Sequence, residues 1–289
     1  MRIHAIQTGT VAVKARQRAG SGPDPLRLIN TLRDDDWTEP LPILAWVIEH
    51  PEGLIVVDTG ETARSAEKGY FPRWHPYYRL GVREWVSAEQ EIGPQLQRLG
   101  LSPHDVRWVV LTHLHTDHAG GLAHFPESEF LVSRKELRDA SGALGKVRGY
   151  LPHRWPQWFS PTPVDCTDGP FGPIAAARRL TAAGDVTLLA TPGHTRGHMS
   201  VAVDLGDQLV LLAGDTSYTQ DLMLAGIADG VTNDTSTARR TLAALLEVAR
   251  SRPTIYLPSH DPESTRRLAG MLPAVRQPAS RTPTPRVVH

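Results

Sequence analysis

The chain contains very little cysteine. Cys166 is the only cysteine among 289 residues, so no disulfide can form within the chain. A lone thiol suits a reducing compartment such as the cytosol, where structural disulfides are rare. No sequence pattern around Cys166 marks it as a nucleophile, and we interpret it as a bystander thiol. A chain of this length can bury a substantial apolar core without cross-links.

Long apolar runs and an excess of charge are also absent. No run approaches the roughly 20 apolar residues of a membrane-spanning helix. Arg2, Lys14, Arg16 and Arg18 interrupt the first 20 residues, which excludes a signal-peptide core there. Thirty-one Lys and Arg balance 31 Asp and Glu, so no general field attracts nucleic acid or anionic membranes. We expect a soluble cytoplasmic protein with neither as a partner.

Histidine, in contrast, is concentrated at one point. Residues 108–111 are apolar without alternation, as in a short buried strand. His113, His115, Asp117 and His118 follow directly. Imidazole nitrogens and carboxylate oxygens are the donors that bind Zn²⁺ and similar ions. Polar loop residues beside a strand would explain one histidine better than three within six positions, so the array predicts a metal site.

Three later strands are predicted to end in the same way. Strands beginning at residues 186, 209 and 254 are followed by His194, Asp215 and His260. Because functional groups gather on loops at the edge of a rigid sheet, we expect all these side chains to share one pocket. Five imidazoles and two carboxylates exceed the about four donors of a single zinc ion. They suit two ions with one bridging carboxylate.

The array H-x-H-x-D-H, at residues 113–118, resembles the signature of the metallo-β-lactamase superfamily of hydrolases. The resemblance extends over residues 40 to 262. It implies an α/β fold, the αββα four-layer sandwich of that superfamily. We therefore expect one catalytic domain over residues 1–272 and a disordered, proline-rich tail over residues 273–289.

The resemblance also implies roles for the candidate ligands. A first ion would be held by His113, His115 and His194, a second by Asp117, His118 and His260, and Asp215 would bridge them. Asp58 in V-D-T-G would support the metal loop from behind rather than serve only as a turn residue. His198 would be a structural hydrogen-bonding residue. Zn²⁺ is the favoured ion, with iron, manganese and cobalt as alternatives that the same donors accept.

Within the superfamily the chain most resembles the quorum-quenching N-acyl-homoserine lactonases. The matching pieces are L-A-W from residue 44, V-D-T-G from 57, H-T-D-H-A-G from 115, T-P-G-H-T from 191 and D-T-S-Y from 215. True metallo-β-lactamases lack a bridging aspartate at the position that corresponds to Asp215. Glyoxalase II-type relatives carry an additional carboxy-terminal helical region, and the transfer-RNA-processing relatives a long basic arm.

The resemblance implies a reaction. A hydroxide shared by the two ions would attack the lactone carbonyl, with Asp117 and Tyr218 as catalytic residues and Tyr218 donating a hydrogen bond to the substrate carbonyl. No protein nucleophile is needed, in agreement with the absence of a G-x-S-x-G motif. The alternatives are hydrolysis of another lactone, an ester or an organophosphate, and a non-catalytic interaction module.

Ten of the 18 aromatic residues lie in segments 70–85 and 150–159. These segments would form an apolar wall over the metal site, a homodimer contact, or packing beneath loops.

Residues 14–36 are interpreted as a loop or arm, and residues 1–13 as an edge strand. The apolar spacing of Leu242, Leu245 and Val248 predicts a helix over residues 235–251. His124 is interpreted as structural, without a pairing partner.

Overall fold

The structure is a computed structural model that describes residues 1–232 and 234–276. Its strands are β1 (Arg2–Val13), β2 (Leu41–His50), β3 (Gly53–Val57), β4 (Val82–Trp85), β5 (Val106–Leu111), β6 (Glu129–Ser133), β7 (Thr162–Val164), β8 (Gly169–Phe171), β9 (Ile174–Arg179), β10 (Val186–Ala190), β11 (Met199–Asp204), β12 (Leu209–Gly214) and β13 (Thr254–Pro258). Most of the predicted tail, from residue 277 onward, lies outside the described residues.

The helices of the described residues are mostly short. They are α1 (Ala15–Arg18), α2 (Asp24–Leu32), α3 (Pro76–Leu80), α4 (Ile92–Arg98), α5 (Thr116–Ala119), α6 (Arg134–Ser141), α7 (Gln220–Leu224), α8 (Thr235–Ser251) and α9 (Ser264–Ala269). The long helix predicted over residues 235–251 is confirmed as α8. Among these helices, none has both the length and the apolar character needed to cross a bilayer.

Two sheets form the centre of the fold. One has the strand order β4-β1-β2-β3-β5-β6-β7 and the other the order β13-β12-β11-β10-β9-β8. Strands β3, β5, β6 and β7 pair in parallel, and β12 pairs in parallel with β13. Parallel strands are buried on both faces, which explains why the β5 sequence is apolar without alternation.

The sheets pack face to face, and helices cover the outer faces. Trp46 and Val110 of the first sheet share one buried cluster with Val201 and Leu257 of the second. A second buried cluster packs α4 and the loop after α5 on the outer face of the first sheet. A third packs α7 and α8 on the outer face of the second sheet. This order of layers is the predicted αββα sandwich, which is confirmed.

Two predictions for the amino-terminal region are wrong. Residues 14–36 contain helices α1 and α2 rather than a loop. The buried side chain of Arg27 fixes α2 by donating to the carbonyl oxygens of Ala228 and Asp229, at 2.9 and 2.6 Å. Strand β1 is not an edge strand along its whole length, because β4 pairs with its residues 10–13. Both features depend on contacts distant in sequence, which local patterns do not reveal.

Candidate metal centre

The predicted ligands meet where strands from both sheets end. Strand β11 runs antiparallel to β10 and β12, and β13 runs parallel to β12, so β10, β12 and β13 end at the same edge. The loop after β5 reaches this edge from the other sheet. Seven residues meet at this edge and are here called the donor cluster: His113, His115, Asp117, His118, His194, Asp215 and His260.

Within the donor cluster, three imidazoles form one group. His113 Nε2 lies 3.0 Å from His115 Nδ1, which lies 3.1 Å from His194 Nε2. Burial holds the pKa of His113 well below its usual value, and burial together with His194 lowers the pKa of His115 to about 4. Both rings are therefore neutral near pH 7, with a nitrogen lone pair free to bind a cation.

A second group contains Asp117, His118 and His260. His260 Nε2 lies 3.3 Å from Asp117 Oδ2, and His118 Nε2 lies 3.9 Å from Asp117 Oδ1. The carboxylate of Asp215 reaches both groups. Its oxygens lie 3.3 Å from His118 Nε2, 3.3 Å from His260 Nε2 and 3.7 Å from His194 Nε2. The Asp215 carboxylate thus lies between the two groups.

Carboxylates dominate the electrostatics of this second group. Burial opposes charge on His118 and His260, but Asp215 and its neighbouring carboxylates hold the pKa of His118 well above its usual value and raise that of His260 to about 10. Burial also opposes charge on Asp117, yet His118 and His260 lower its pKa to about 2. The group is thus a concentration of buried charge, which is costly unless it is compensated.

Two atoms of the donor cluster indicate what would compensate that charge. His118 Nε2 and Asp215 Oδ1 are buried and have no hydrogen-bond partner among the described residues. Buried polar atoms in native proteins are nearly always satisfied, and an exception can mark an ion. A cation that displaces the proton of His118 would meet an imidazole nitrogen beside carboxylate oxygens, which is a donor set that divalent cations accept. The residues present therefore fit a metal centre.

Residues behind the donor cluster orient its rings. Asp58 Oδ2 accepts from His118 Nδ1 at 2.8 Å, while Asp58 also accepts from the backbone and hydroxyl of Thr112 at 2.7 and 2.8 Å. Asp58 has a φ of +60°, which is uncommon for a residue with a side chain. His260 Nδ1 donates to Pro42 O at 2.9 Å. These bonds leave each Nε2 free to face the centre.

His198 is hydrogen-bonded through both of its ring nitrogens. Its Nδ1 donates to Thr191 Oγ1 at 2.9 Å, and its Nε2 accepts from the backbone N–H of Asp215 at 3.1 Å. Burial lowers the pKa of His198 to about 3, so the accepting nitrogen stays unprotonated. The ring therefore positions the bridging candidate from behind.

The sequence interpretation missed two buried carboxylates. Asp229 Oδ2 accepts from His194 Nδ1 at 3.1 Å. Glu136 joins two ligand loops, because it accepts from Leu114 N at 3.1 Å and from Thr195 Oγ1 at 2.7 Å. Neither residue lies in a ligand motif, so no local signal was available.

The interpretation that His124 lacks a partner is wrong, because its Nε2 lies 2.6 Å from Glu91 Oε2.

A cavity of about 610 Å³ opens above the donor cluster. Its walls include five polar side chains from distant parts of the chain, here called the cavity wall: Gln17, Tyr77, Tyr78, Tyr150 and Tyr218. Tyr218 is buried and its ring stacks on that of His260, with ring centres 5.5 Å apart. Tyrosines of both aromatic segments thus form part of a wall, whereas Trp155 and Phe159 pack in the core beneath it.

Comparisons with known proteins agree with this architecture. The family model of the metallo-beta-lactamase superfamily matches residues 38–260. A probable metallo-hydrolase of Mycobacterium tuberculosis is 38% identical over 176 residues, or 60% of this chain, but the match spans only 56% of that relative. The N-acyl homoserine lactonase AttM of Rhizobium radiobacter is 27% identical over 278 residues, which are 91% of this chain and 94% of AttM.

Solved structures share the fold. An N-acyl homoserine lactone hydrolase, with the product N-hexanoyl-L-homoserine bound at its catalytic metal center, superposes with a TM-score of 0.73 at 24% identity. The superposition covers 91% of this chain and 94% of that one. Because the family model matches most of the sequence, and two sheets bring the signature residues together, the chain belongs to the metallo-beta-lactamase superfamily.

Proposed function

We propose that this protein is a metal-dependent lactonase that opens the ring of N-acyl-homoserine lactones. The observation that carries the proposal is Asp215, which contacts both donor groups beneath a cavity that also contains Tyr218. The full-length similarity to AttM supports the same substrate class. The roles assigned to individual residues below are part of this proposal.

The two donor groups would hold two divalent ions, and zinc is our first choice because imidazole-rich sites of mixed nitrogen and oxygen donors favour it. His113, His115 and His194 would bind one ion, Asp117, His118 and His260 the other, and Asp215 both. When bound, such ions lower the pKa of a water molecule and polarise a carbonyl group.

Tyr218 and Asp117 would act directly on the substrate. Burial holds the pKa of Tyr218 well above its usual value, so its hydroxyl stays protonated and can donate to the lactone carbonyl oxygen as negative charge develops there. Water oxygen bonds to the carbonyl carbon, and the ring C–O bond breaks. Asp117, which lines the cavity, would accept a proton from the attacking water and deliver it to the departing ring oxygen, which thereby becomes a hydroxyl.

A substrate panel with product identification tests this function. Metal-loaded protein should convert N-hexanoyl-homoserine lactone to N-hexanoyl-homoserine with a kcat/KM above those for an aryl ester and a phosphotriester. Tyr218→Phe should retain its metal while kcat falls about 100-fold, the typical cost of losing one oxyanion donor. A preference for the ester or phosphotriester would favour the alternative hydrolases, and normal turnover by Tyr218→Phe would refute the role of that residue.

Further assignments accompany this proposal. One catalytic domain over residues 1–272 is supported by the extent of the family match and by the single inter-sheet core. The intact donor cluster argues against a non-catalytic interaction module. A cytoplasmic location, a homodimer and a lack of nucleic-acid or membrane partners stay predictions from the sequence.

A further inference from the structure

One side-chain amide in the cavity wall donates hydrogen bonds to two phenol groups. Gln17 Nε2 donates to Tyr77 Oη at 2.8 Å and to Tyr218 Oη at 2.7 Å. Gln17 is 2% exposed, and backbone hydrogen bonds to Lys14 and Gly230, both of 2.8 Å, fix its main chain. The two phenol oxygens therefore lie side by side, on supports that come from three distant parts of the sequence.

The direction of these bonds determines what the phenols offer to a ligand. A tyrosine hydroxyl has one hydrogen and two lone pairs. Since Tyr77 and Tyr218 both accept from the amide of Gln17, the hydrogen of each remains available. Within the described residues, Gln17 is the hydrogen-bond partner found for either hydroxyl. Because the ordinary pKa of a tyrosine is about 10, each hydroxyl carries its hydrogen near neutral pH.

Tyr78 provides a contrast in the same wall. Its hydroxyl donates to the backbone oxygen of Gly149 at 2.5 Å, so its hydrogen is already engaged. Three tyrosines thus line the cavity near α3 and the end of β12, but two of them present free O–H donors. Two adjacent donors match a substrate with two neighbouring carbonyl oxygens better than one with a single carbonyl.

We propose that Tyr77 is a specificity-determining residue that donates a hydrogen bond to a second substrate carbonyl, and so selects lactones with an acylamino group beside the ring. In such lactones only the ring α-carbon and the amide nitrogen separate the two carbonyl carbons. Tyr218 contacts the lactone carbonyl and Tyr77 the acyl carbonyl. This inference rests on the proposed lactonase function and deepens it.

The test compares two substrates of similar length, N-hexanoyl-homoserine lactone and an alkyl-substituted γ-lactone without the amide. Tyr77→Phe should raise KM about five- to tenfold for the first substrate, the loss expected for one hydrogen bond, with kcat retained. Its kinetics on the alkyl lactone should stay within about twofold of the parent protein. Tyr218→Phe should lower kcat for both substrates.

Tyr78→Phe is the matched control. It removes a hydroxyl from the same wall, but the hydrogen of that hydroxyl is already donated to the backbone oxygen of Gly149. It should change kcat/KM for the two lactones by the same factor. If Tyr77→Phe also affects both lactones equally, Tyr77 has only a structural role and the inference is refuted, although the lactonase function stands. If the parent protein opens neither lactone, the proposed function fails and this inference with it.

A second variant tests the part that Gln17 plays. In Gln17→Glu the carboxylate of nearly the same shape accepts both phenol hydrogens, which withdraws both donors from the cavity. We expect KM for the acylamino lactone to rise and kcat for both lactones to fall, with metal content and circular dichroism unchanged. Parent-like kinetics in Gln17→Glu would refute the proposed direction of the two hydrogen bonds.

Discussion

The donor cluster and the cavity wall are neighbours, but they are built in different ways. The donors lie just after the ends of strands, with Asp117 and His118 on the short helix α5 that follows β5, so the rigid edges of the sheets place them. The wall residues come from α1, α3 and loops, and contacts between side chains hold them, such as those of Gln17 with Tyr77 and Tyr218. We therefore expect changes in the donor cluster to remove both metal and activity, and changes in the wall to leave the metal bound while they lower kcat or alter substrate choice.

The largest effect should follow Asp215→Ala. This change removes the one carboxylate that contacts both donor groups, so both ions should be lost. Activity should fall at least about a thousandfold, since a metal centre contributes several kcal/mol to the transition state. Mass spectrometry of metals and the lactonase assay together check this. Retention of two ions with full activity would contradict a bridging role. His115→Ala should likewise lose metal and activity together.

Smaller effects should follow changes behind the donor cluster, and they should separate its two groups. Asp58→Asn weakens the support of His118, and Asp229→Asn that of His194. Losing such a partner typically costs about 10- to 100-fold in metal affinity. Metal titration should show one weakened site in each variant, and the crystal structures should show a different site depleted. Depletion of the same site in both variants would contradict the assignment of His118 and His194 to different ions.

A change in the anchoring of helix α2 should leave the metal centre intact. Arg27→Met removes the hydrogen bonds that tie α2 to the backbone at Ala228 and Asp229. Their buried oxygens lose a donor, which should lower the free energy of unfolding by about 2 kcal/mol. Denaturant unfolding measures this loss, while metal content should remain that of the parent protein. Loss of metal in this variant would show that the anchoring of α2 and the metal centre are not separable.

The smallest effect concerns acid stability. His198 has a pKa of about 3 in the folded chain against an ordinary value of 6.5, so the unfolded state binds a proton that the folded state does not. Its contribution is complete above pH 6.5 and is lost as pH falls towards 3. At pH 5 the loss should be about 1 to 2 kcal/mol. Unfolding of metal-free parent protein and of His198→Gln, at pH 7 and pH 5, tests this, with a smaller drop expected in the variant.

The difference in how the donor cluster and the cavity wall are built also explains what the sequence could predict. Apolar strands followed by histidine or aspartate are local patterns, and they predicted that the seven donor residues share one pocket, where the structure brings them together. The αββα fold followed from the resemblance that these motifs carry. Helix α2, the pairing of His194 with Asp229 and the position of Gln17 depend on contacts between residues that are 201, 35 and 201 positions apart in the chain. No local pattern carries that information, so the sequence predicted a wall from the aromatic segments but not the contribution of Gln17 or which aromatic residues line the cavity.

Metal titration of the metal-free protein, with lactonase activity followed in parallel, tests the central claim most directly. Two groups of donors that share Asp215 predict that zinc binding and the opening of N-hexanoyl-homoserine lactone both saturate at two ions per chain. Full activity in the rigorously metal-free protein, or saturation without any lactone opening, would contradict the account.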